Sequence, residues 1–301
     1  MVQYSLSVGY LNNSVYLLKL ISSPPDITLD ELKKIVDTDD ILLRETQTVV
    51  VQSAIEFGWI EIGPENKLTL NDGLTRTLFD RGDISVQREL LWLYIFKSRP
   101  FWTKYLGHGI STAKHNISND DEKQIFIDLG LFVDAEDSDK DVVDWWSRVA
   151  GLTRQMEDEK LTEIGNKGEF LSIRFERNRT GVRPTHMALD SNHHGYDILS
   201  QIDSSNSDPL HIEVKASISG WRGGVLHLTR NEYDKSRESG VNYQFHLWDI
   251  SSENPKLLIV SSLDMLQHAP IDSGKGRWET VAIKFKSFNW DECIDSEEGV
   301  F

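Results

Sequence analysis

The chain has 301 residues, of which 39% are hydrophobic and 27% charged, a composition typical of a soluble globular protein with two or three domains. Its net charge of -16 argues against a protein that coats DNA non-specifically, although a locally basic surface stays compatible with that total. No apolar run reaches the ~18 residues of a membrane helix, and the N-terminus lacks a signal-peptide pattern. The single cysteine, Cys293, excludes an internal disulfide and favours the reducing cytoplasm.

The N-terminal region combines apolar runs with a helix–helix–hairpin pattern. Residues 4–10 and 15–21 are interpreted as two β-like or mixed runs around a turn, before Pro24-Pro25 breaks the chain. The next predicted elements are a helix from the Thr28-x-x-Glu31 capping box to Val36, a helix at about 43–57, and strands at 59–62 and 67–70. Two helices followed by a hairpin predict a winged-helix-like fold.

A winged helix often reads DNA with its second helix. Here that helix offers Arg44 alone against Glu45 and Glu56, whereas a recognition helix needs more Arg or Lys for phosphates and guanine edges. A role in protein contacts or packing is therefore favoured over DNA binding.

An aromatic helical region at 85–106, interrupted by Pro100, follows. Its rings would suit either base stacking or a core or subunit interface, and their density favours the second. A short helix at 119–131 then leads into Leu131-Phe132-Val133, which echoes the earlier Phe57-Gly58-Trp59-Ile60. A second, degenerate winged helix is left open.

The acidic segment Asp134–Asp144 is predicted to separate two domains. The predicted division is a helical adaptor domain at 1–135, a linker with the start of a docking helix at 136–150, and an α/β domain at 151–301. A long helix is expected from Arg154 to about Arg177, with Ile164, Gly168, Leu171 and Phe175 facing a sheet. The predicted fold class is therefore α+β.

The stretch from Gly195 to Ser217 predicts a β-hairpin, because two β-type runs flank a polar segment rich in turn residues. If the hairpin folds about Ser205, Asp197 lies directly opposite Glu213, and Lys215 shares their face. The opposite face then carries the apolar side chains of Tyr196, Ile198, Ile212 and Val214. Two carboxylates held this close repel each other unless a cation lies between them, and a hard divalent ion suits oxygen ligands.

The rest of the chain adds strands but no second cofactor motif. Strands are predicted at 225–228, 241–250, 257–260 and 281–285. Thr229-x-x-Glu232 forms a capping box that could be purely structural, while Asn231 could face the hairpin. The adjacent His193 and His194 are interpreted as loop residues. No zinc spacing, Walker A loop or dinucleotide fingerprint occurs, so any ATP use would require a partner.

An ordered series of short motifs carries a family resemblance. The series consists of Ile164-Gly165-x-x-Gly168-Glu169, Gly195-Tyr196-Asp197-Ile198, Ile212-Glu213-Val214-Lys215 and Leu228-Thr229-x-Asn231-Glu232. It resembles the PD-(D/E)xK, restriction-endonuclease-like nucleases, and most closely the nuclease-like domain at the C-terminus of the plant NO VEIN protein, which also occurs in bacterial defence loci. The resemblance covers about residues 155–250. Tyr196 stands where the superfamily pattern has proline.

The resemblance implies an α/β nuclease domain with a central mixed sheet and a Mg²⁺-dependent (or Mn²⁺-dependent) endonuclease acting on DNA. Asp197, Glu213 and the carbonyl of Val214 would hold the metal ion. Lys215 would position the attacking water and help to deprotonate it, and Glu169 would hold a metal-bound water or a second ion. The implied setting is bacterial antiviral defence or restriction, with a helicase or ATPase as a candidate partner and homo-oligomerisation open.

Basic residues around the hairpin supply a candidate nucleic-acid surface, comprising Arg177, Arg179, Arg183, Arg222 and Arg230. They form either a phosphate-binding rim or an ordinary solvated surface. Two other functions stay open: a catalytically inactive adaptor that binds nucleic acid or a partner protein, and an RNase or structure-specific nuclease.

Overall fold

The computed structural model describes residues 6–22, 27–38, 44–133, 139–187, 194–272 and 276–295. The chain forms two compact units, Met1–Glu157 and Asp158–Phe301. The first is mostly helical and the second contains a mixed six-stranded sheet, which confirms the predicted α+β class. No helix among these residues is both long and apolar enough to cross a bilayer.

The first unit consists of short helices and one small hairpin. Its elements are α1 (Val8–Ser22), α2 (Leu29–Thr38), α3 (Arg44–Glu56), β1 (Ile60–Ile62), β2 (Leu68–Leu70), α4 (Arg76–Asp80), α5 (Asp83–Ser98), α6 (Thr103–Leu106), α7 (Ile110–Asn116) and α8 (Asp120–Asp128). The start of α9 (Lys140–Thr180) completes it.

The N-terminal segment is one helix, so the prediction of two β-like runs separated by a turn is wrong. Leu11, Val15, Leu18 and Ile21 are buried in α1 at intervals of three or four residues, which is the period of a helix face. The residues interpreted as a turn lie inside this helix, and Ser14 there is buried with its hydroxyl donating to the carbonyl of Tyr10 (2.8 Å). Residues 1–5 and 23–26 lie outside the described part of the chain.

The predicted helix–helix–hairpin arrangement is confirmed by α2, α3, β1 and β2. The two strands pair antiparallel with Ile60 opposite Leu70, and Thr28 bridges to Lys67 as a further strand contact. The capping box that begins α2 is present, because Glu31 accepts from the backbone of Thr28 at 2.9 Å. This order of elements is the one on which the winged-helix prediction depends.

Helix α8 ends in the same way as helix α3. Both α3 and α8 end at a glycine with positive φ, Gly58 (71°) and Gly130 (62°). The backbone N–H of Trp59 donates to Ala54, and that of Leu131 donates to Phe126, each at 2.8 Å. Residues 131–133 form no strand, so no second wing is seen in the described residues, and 134–138 lie outside them.

The aromatic helix α5 belongs to the core of the first unit, as its ring density predicts. Leu90, Leu91 and Ile95 are fully buried, and Tyr94 packs edge-on against Phe57 with ring centroids 4.8 Å apart. Pro100 follows the end of this helix at Ser98, where its missing N–H cannot interrupt the helical hydrogen bonds.

Within the segment predicted as an acidic linker and the start of a docking helix (136–150), the helix is present, because α9 begins at Lys140 and runs without interruption to Thr180. Val142, Trp145, Val149 and Leu152 are buried in the core of the first unit, which explains why residues 140–150 are helical rather than extended. The boundary between the units therefore falls inside α9, after Glu157, and residues 157–163 of the helix are exposed.

The second unit is built on the C-terminal half of α9 and a central sheet. Its remaining elements are β3 (Thr185–His186), β4 (Ile198–Gln201), β5 (Pro209–Ser217), α10 (Gly220–Gly223), β6 (Val225–Thr229), α11 (Arg230–Ser239), β7 (Tyr243–Asp249), β8 (Lys256–Ser261), α12 (Ser262–Gln267), β9 (Thr280–Lys284) and β10 (Ile294–Asp295). The sheet order is β10-β8-β7-β5-β4-β3, with β5 and β7 parallel and the other neighbours antiparallel. Strands β6 and β9 form a separate antiparallel pair.

The two faces of the sheet have different coverings. On one face Ile198, Ile212, Val214 and Trp248 pack with Phe175 of α9, so the predicted orientation of this helix is confirmed. On the other face Tyr243, Phe245 and Leu247 pack against residues of the β6–β9 pair, including Leu226, Leu228 and Ile283. Alternate residues of β5 thus point to the helix or to the second layer.

Buried polar groups fix α9 against the sheet. Ser172 accepts a hydrogen bond from the indole of Trp248 (2.7 Å), and the fully buried Glu176 accepts one from the hydroxyl of Ser200 on β4. Burial is the main reason that the pKa of His246, 3.9 Å from Glu176, falls to about 4. This histidine is neutral at physiological pH, as its dry surroundings require.

Gly168 allows α9 to approach the sheet closely. A Cβ at this position would lie 2.8 Å from the Cβ of Ala216 and 3.2 Å from Val214, whereas a Cβ at Gly165 would meet no atom within 4 Å. Gly165→Ala gains helix propensity alone, so it is expected to stabilise the fold by about 1 kcal/mol. Gly168→Ala adds overpacking and is expected to be less stable than Gly165→Ala by about 1–3 kcal/mol. Urea denaturation of both variants measures this difference, and equal stabilities would contradict the close packing.

Candidate active site

The β4–β5 hairpin has the predicted register. Ile198 pairs with Ile212 and Leu199 with His211, so the hairpin is centred on Ser205, as predicted. The regular ladder ends at Ile198, because the N–H of Asp197 donates to the carbonyl of Ile212 (3.0 Å) and not to that of Glu213. The charge of Asp197 still acts on Glu213, so the two carboxylates are neighbours, whereas their direct cross-strand pairing stays a prediction.

The turn before Asp197 is held from two sides. Gly195 has φ +71°, and a Cβ there would lie 3.0 Å from the Cβ of Lys235 on α11, so only glycine fits without strain. The buried hydroxyl of Tyr243 on β7 donates to the carbonyl of Gly195 at 2.6 Å. The Asp197 carboxylate then accepts from the backbone N–H of Val214 at 2.8 Å, which directs it along β5.

Glu213, Lys215 and Glu232 form a chain of charges on the same face. The Lys215 ammonium donates to Glu213 at 2.6 Å and to Glu232 at 3.0 Å. The other oxygen of Glu232 accepts from the backbone N–H of Thr229 (2.9 Å), so the predicted capping box is present. Glu232 therefore has two roles, since it begins α11 and also holds Lys215.

Burial dominates the electrostatics of this cluster. It raises the pKa of Asp197 to about 6, although the Val214 N–H and Lys215 partly oppose the shift. Burial also raises the pKa of Glu213 well above its usual range, against the charge of Lys215 and with that of Asp197. For Lys215 burial acts to lower the pKa, but Glu213 and Glu232 outweigh it and raise the pKa above its ordinary value. Two acids that hold protons this tightly, beside a lysine that keeps its own, are typical of functional sites.

Glu169 reaches this cluster from α9 and is paired with a histidine. Its carboxylate bonds Nε2 of His186 on β3, and both side chains are mostly buried. The charge of Glu169 contributes to the raised pKa of Asp197, which places it close to the hairpin carboxylates. Glu163, the other acid along this stripe of the helix, is exposed.

Asp197, Glu213 and the backbone of Val214 offer hard oxygen atoms to a cation. In a strand the N–H and C=O of one residue point to the same side, so the Val214 carbonyl points towards Asp197, as its N–H does. That carbonyl lies beyond the end of β4, which pairs no further than Ile198. Carboxylate and carbonyl oxygens suit Mg²⁺ or Mn²⁺, which keep several waters.

A site of this kind is incomplete without backbone and water ligands. No group of three or more His, Cys, Asp or Glu side chains with metal-binding geometry occurs within the described ranges. The two hairpin acids and the Val214 carbonyl therefore fit a cation that retains water, and they do not form a closed structural site.

The predicted position of Tyr196 on the apolar face is wrong. The chain bends before β4 begins at Ile198, so alternation does not extend to Tyr196. Its ring lies against His211, with centroids 4.3 Å apart, and packs on the cluster that contains Tyr243. Tyr196 is therefore a wall on the same side of the sheet as Glu213.

Sequence reasoning missed His186 and the contact between Lys215 and Glu232. His186 lies in a two-residue strand, which is too short for any periodic signal. Glu232 is identified in the sequence as a capping-box residue and as part of the Leu228-Thr229-x-Asn231-Glu232 motif. Neither pattern indicates that its carboxylate contacts Lys215, which lies on another strand.

The five arginines predicted to form a phosphate-binding rim divide into two groups. Arg179 is bonded to Glu176 and to the carbonyl of Gln201 (2.7 Å), and Arg230 to Asp234 and Asp272, so both stabilise the protein itself. Arg177, Arg183 and Arg222 are exposed. These three remain candidates for nucleic-acid contact.

Comparison with known proteins bears on the segment that carries the cluster. Residues 168–260 match the family model described as "Protein NO VEIN, C-terminal". The match begins at the glycine that packs α9 on the sheet and ends in β8, about a third of the 301 residues. No curated protein and no solved structure matches the chain.

The matched segment includes all four predicted catalytic residues, Glu169, Asp197, Glu213 and Lys215. It also includes His186 and Glu232, which contact them. The predicted relationship to the NO VEIN C-terminal region is thereby supported over these residues. The description names a region of a protein and no reaction, so the chemistry has to be argued from the site.

The raised pKa of Asp197 gives a pH-dependent stability. The folded pKa of about 6 exceeds the ordinary 3.8, so the contribution of this group is greatest below about pH 4 and is lost as the pH rises through 6. Asp197→Asn removes the loss of stability that ionisation of the buried carboxyl causes. In EDTA the variant is expected to be more stable than the wild type at pH 8, by at most about 3 kcal/mol, with little difference at pH 4.

Denaturation at both pH values measures this effect. Asp203→Asn is the matched control, because hydrogen bonds from Ser205 and Asn206 lower the pKa of this exposed turn acid. The control is expected to gain nothing at pH 8. If the wild type were more stable than Asp197→Asn at pH 8 in EDTA, the burial of an unfavourable charge on Asp197 would be contradicted.

Proposed function

We propose that the chain is a metal-dependent nuclease that hydrolyses phosphodiester bonds of DNA, with its active site on the β4–β5 hairpin. The observation that carries the proposal is the proximity of Asp197 and Glu213, two mostly buried carboxylates whose charges interact, to Lys215, which bonds Glu213 at 2.6 Å. Such an arrangement costs stability unless a cation and an anionic substrate complete it. The resemblance to PD-(D/E)xK nucleases, through the same residues, supports the same conclusion.

Each residue has a role that follows from its surroundings. Asp197, Glu213 and the Val214 carbonyl would hold Mg²⁺ or Mn²⁺, which when bound polarises the phosphate and lowers the pKa of water. Lys215 keeps its proton, since Glu213 and Glu232 raise its pKa, and it therefore offsets the charge that develops on the phosphate rather than accepting a proton. Glu169, whose carboxylate is oriented by His186, would accept a hydrogen bond from the attacking water.

The biological setting rests on the resemblance alone. We infer a cytoplasmic component of a bacterial antiviral defence or restriction system, in which a helicase or ATPase partner supplies any ATP-driven step. The winged-helix-like unit, whose second helix contains few basic residues, would then contact protein rather than DNA.

The test is cleavage of plasmid, linear duplex and single-stranded DNA, and of RNA, with Mg²⁺, Mn²⁺ or EDTA. Cleavage is expected with either metal and not with EDTA. Asp197→Asn, purified in the same way, separates the activity of this chain from that of a contaminant, since a contaminating nuclease would persist in the variant. Wild-type protein that cuts none of these substrates would contradict the proposal, and preferential cleavage of RNA would change its substrate.

Lys215→Ala separates catalysis from binding. The variant leaves Asp197 and Glu213 in place, so substrate binding is expected to fall only by the loss of about one phosphate contact. Cleavage is expected to fall by about 10²–10³, because the ammonium acts where charge develops in the transition state. Single-turnover cleavage and equilibrium binding in one buffer measure both quantities. A variant that cuts at the wild-type rate would exclude Lys215 from the active site.

A second candidate function is a nuclease-fold adaptor that binds nucleic acid or a partner protein without cleaving. The observation in its favour is that the Lys215 ammonium already bonds Glu213 and Glu232, so one lysine offsets part of the acidic charge without metal. Under this alternative, binding would be unaffected by EDTA and no metal would induce cleavage. Loss of complex formation in Lys215→Ala, with no wild-type cleavage, would select it.

A further inference from the structure

A polar groove runs along α11, next to the candidate active site. It has a volume of about 550 Å³, and its basic lining residues are Arg230, Lys235, Arg237 and Arg277. Asn231, Asp234 and Glu238 complete the lining. Four cations against two acids give this groove a positive balance on a chain whose net charge is -16. A cleft that opposes the charge of the whole protein concentrates a ligand of the opposite sign.

The groove begins at the active-site turn. Asn231 and Lys235, one helical turn apart, both lie against Gly195, two residues before Asp197. Glu232, the next residue after Asn231 in α11, contacts the candidate site directly, because its carboxylate bonds Lys215 at 3.0 Å. The groove therefore borders the turn that carries Asp197.

One wall of the groove is rigid. The Arg230 guanidinium lies over the rings of both Tyr233 and Trp278, 5.1 and 5.2 Å from their centroids, and it also bonds Asp272 at 2.9 Å. The backbone N–H of Arg230 donates to Glu279 at 2.8 Å, which brings the segment carrying Arg277 alongside α11. Arg230 thus shapes the groove, while its charge is satisfied within the protein.

The available charge comes from two other arginines. Arg237 and Arg277 are exposed, and neither is paired with a carboxylate in the part of the chain that the structure describes. Lys235 shares its charge with Glu238 at 3.2 Å. Over its ten residues α11 is about 15 Å long, which is the rise of about four nucleotides in one strand of a duplex.

We propose that this α11 groove binds the sugar-phosphate backbone of DNA beside the bond that is cut, with Arg237 and Arg277 contacting phosphates. The choice of ligand rests on the proposed nuclease function, whereas the groove itself is defined by its own residues. The predicted contacts are to phosphates and not to bases, so the groove contributes affinity without sequence preference.

The experiment measures binding of labelled single-stranded and duplex DNA to the full chain in EDTA, so that no cleavage occurs. Arg237→Glu/Arg277→Glu is expected to weaken binding by on the order of 10- to 100-fold near 0.1 M salt. The slope of log affinity against log salt is expected to fall by about 1.4–1.8, the loss of two phosphate contacts. Arg237→Gln/Arg277→Gln, which removes charge without reversing it, is expected to give the same change in slope with a smaller loss of affinity.

The matched control is Lys284→Glu/Lys286→Glu, which changes the net charge equally. Lys284 pairs with Val225 at the far end of the β6–β9 pair, whereas the groove lies beyond the Thr229–Thr280 end. The control is expected to retain the wild-type salt slope. Equal slopes for the groove and control variants, or no DNA binding by the wild type at low salt, would overturn the proposal.

Cleavage is assayed separately, so the two proposals fail in different ways. Groove-dependent binding without metal-dependent cleavage would leave the groove assigned and remove the nuclease function. Cleavage by the wild type together with unchanged binding by the groove variants would keep the nuclease function and remove the groove. The preference between single-stranded and duplex DNA identifies the form of substrate that the groove accepts.

Discussion

The antiparallel pairing of β4 with β5 is the constraint on which the candidate site depends. It ends at Ile198, so Asp197 lies just beyond the ladder as a neighbour of Glu213, and the backbone N–H of Val214 is left to orient the aspartate at 2.8 Å. A shift of the register by one residue would move every side chain of the strand to the other face and would separate the two acids. The apolar residues Ile198 and Ile212, both fully buried under α9, fix this register, so the hydrophobic effect holds the repelling carboxylates together.

Helix α11, in the layer that covers the second face of the sheet, contacts two parts of the candidate site. Helix α11 begins at a capping box whose Glu232 also bonds Lys215, and the same helix packs against the turn at Gly195. Helix α11 therefore carries the partner of Lys215, supports the turn that carries Asp197 and lines the basic groove. A single ten-residue helix thus sets the positions of charges in both the candidate site and the basic groove.

Much of this arrangement could be predicted from the sequence because the signals are local and periodic. The hairpin register followed from two β-type runs about Ser205, and the helix–sheet contact at Gly168 followed from helical spacing. The failures have physical causes. In α1, short apolar runs fit a strand or a helix equally, and tertiary packing decided for the helix. Contacts that join distant segments, such as His186 with Glu169, leave no periodic trace in one sequence.

The central claim is that Asp197 and Glu213 form a cation site. Titration of the metal-free chain with Mn²⁺ tests this claim most directly. Electron paramagnetic resonance of free Mn²⁺ counts the ions bound. The wild type is expected to bind at least one ion that Mg²⁺ displaces, and Asp197→Asn is expected to lose it. Asp249→Asn is the matched control, a buried acid on the same sheet whose oxygens accept from Trp221 and Ser251 instead. Equal Mn²⁺ binding by the wild type and Asp197→Asn would contradict the account.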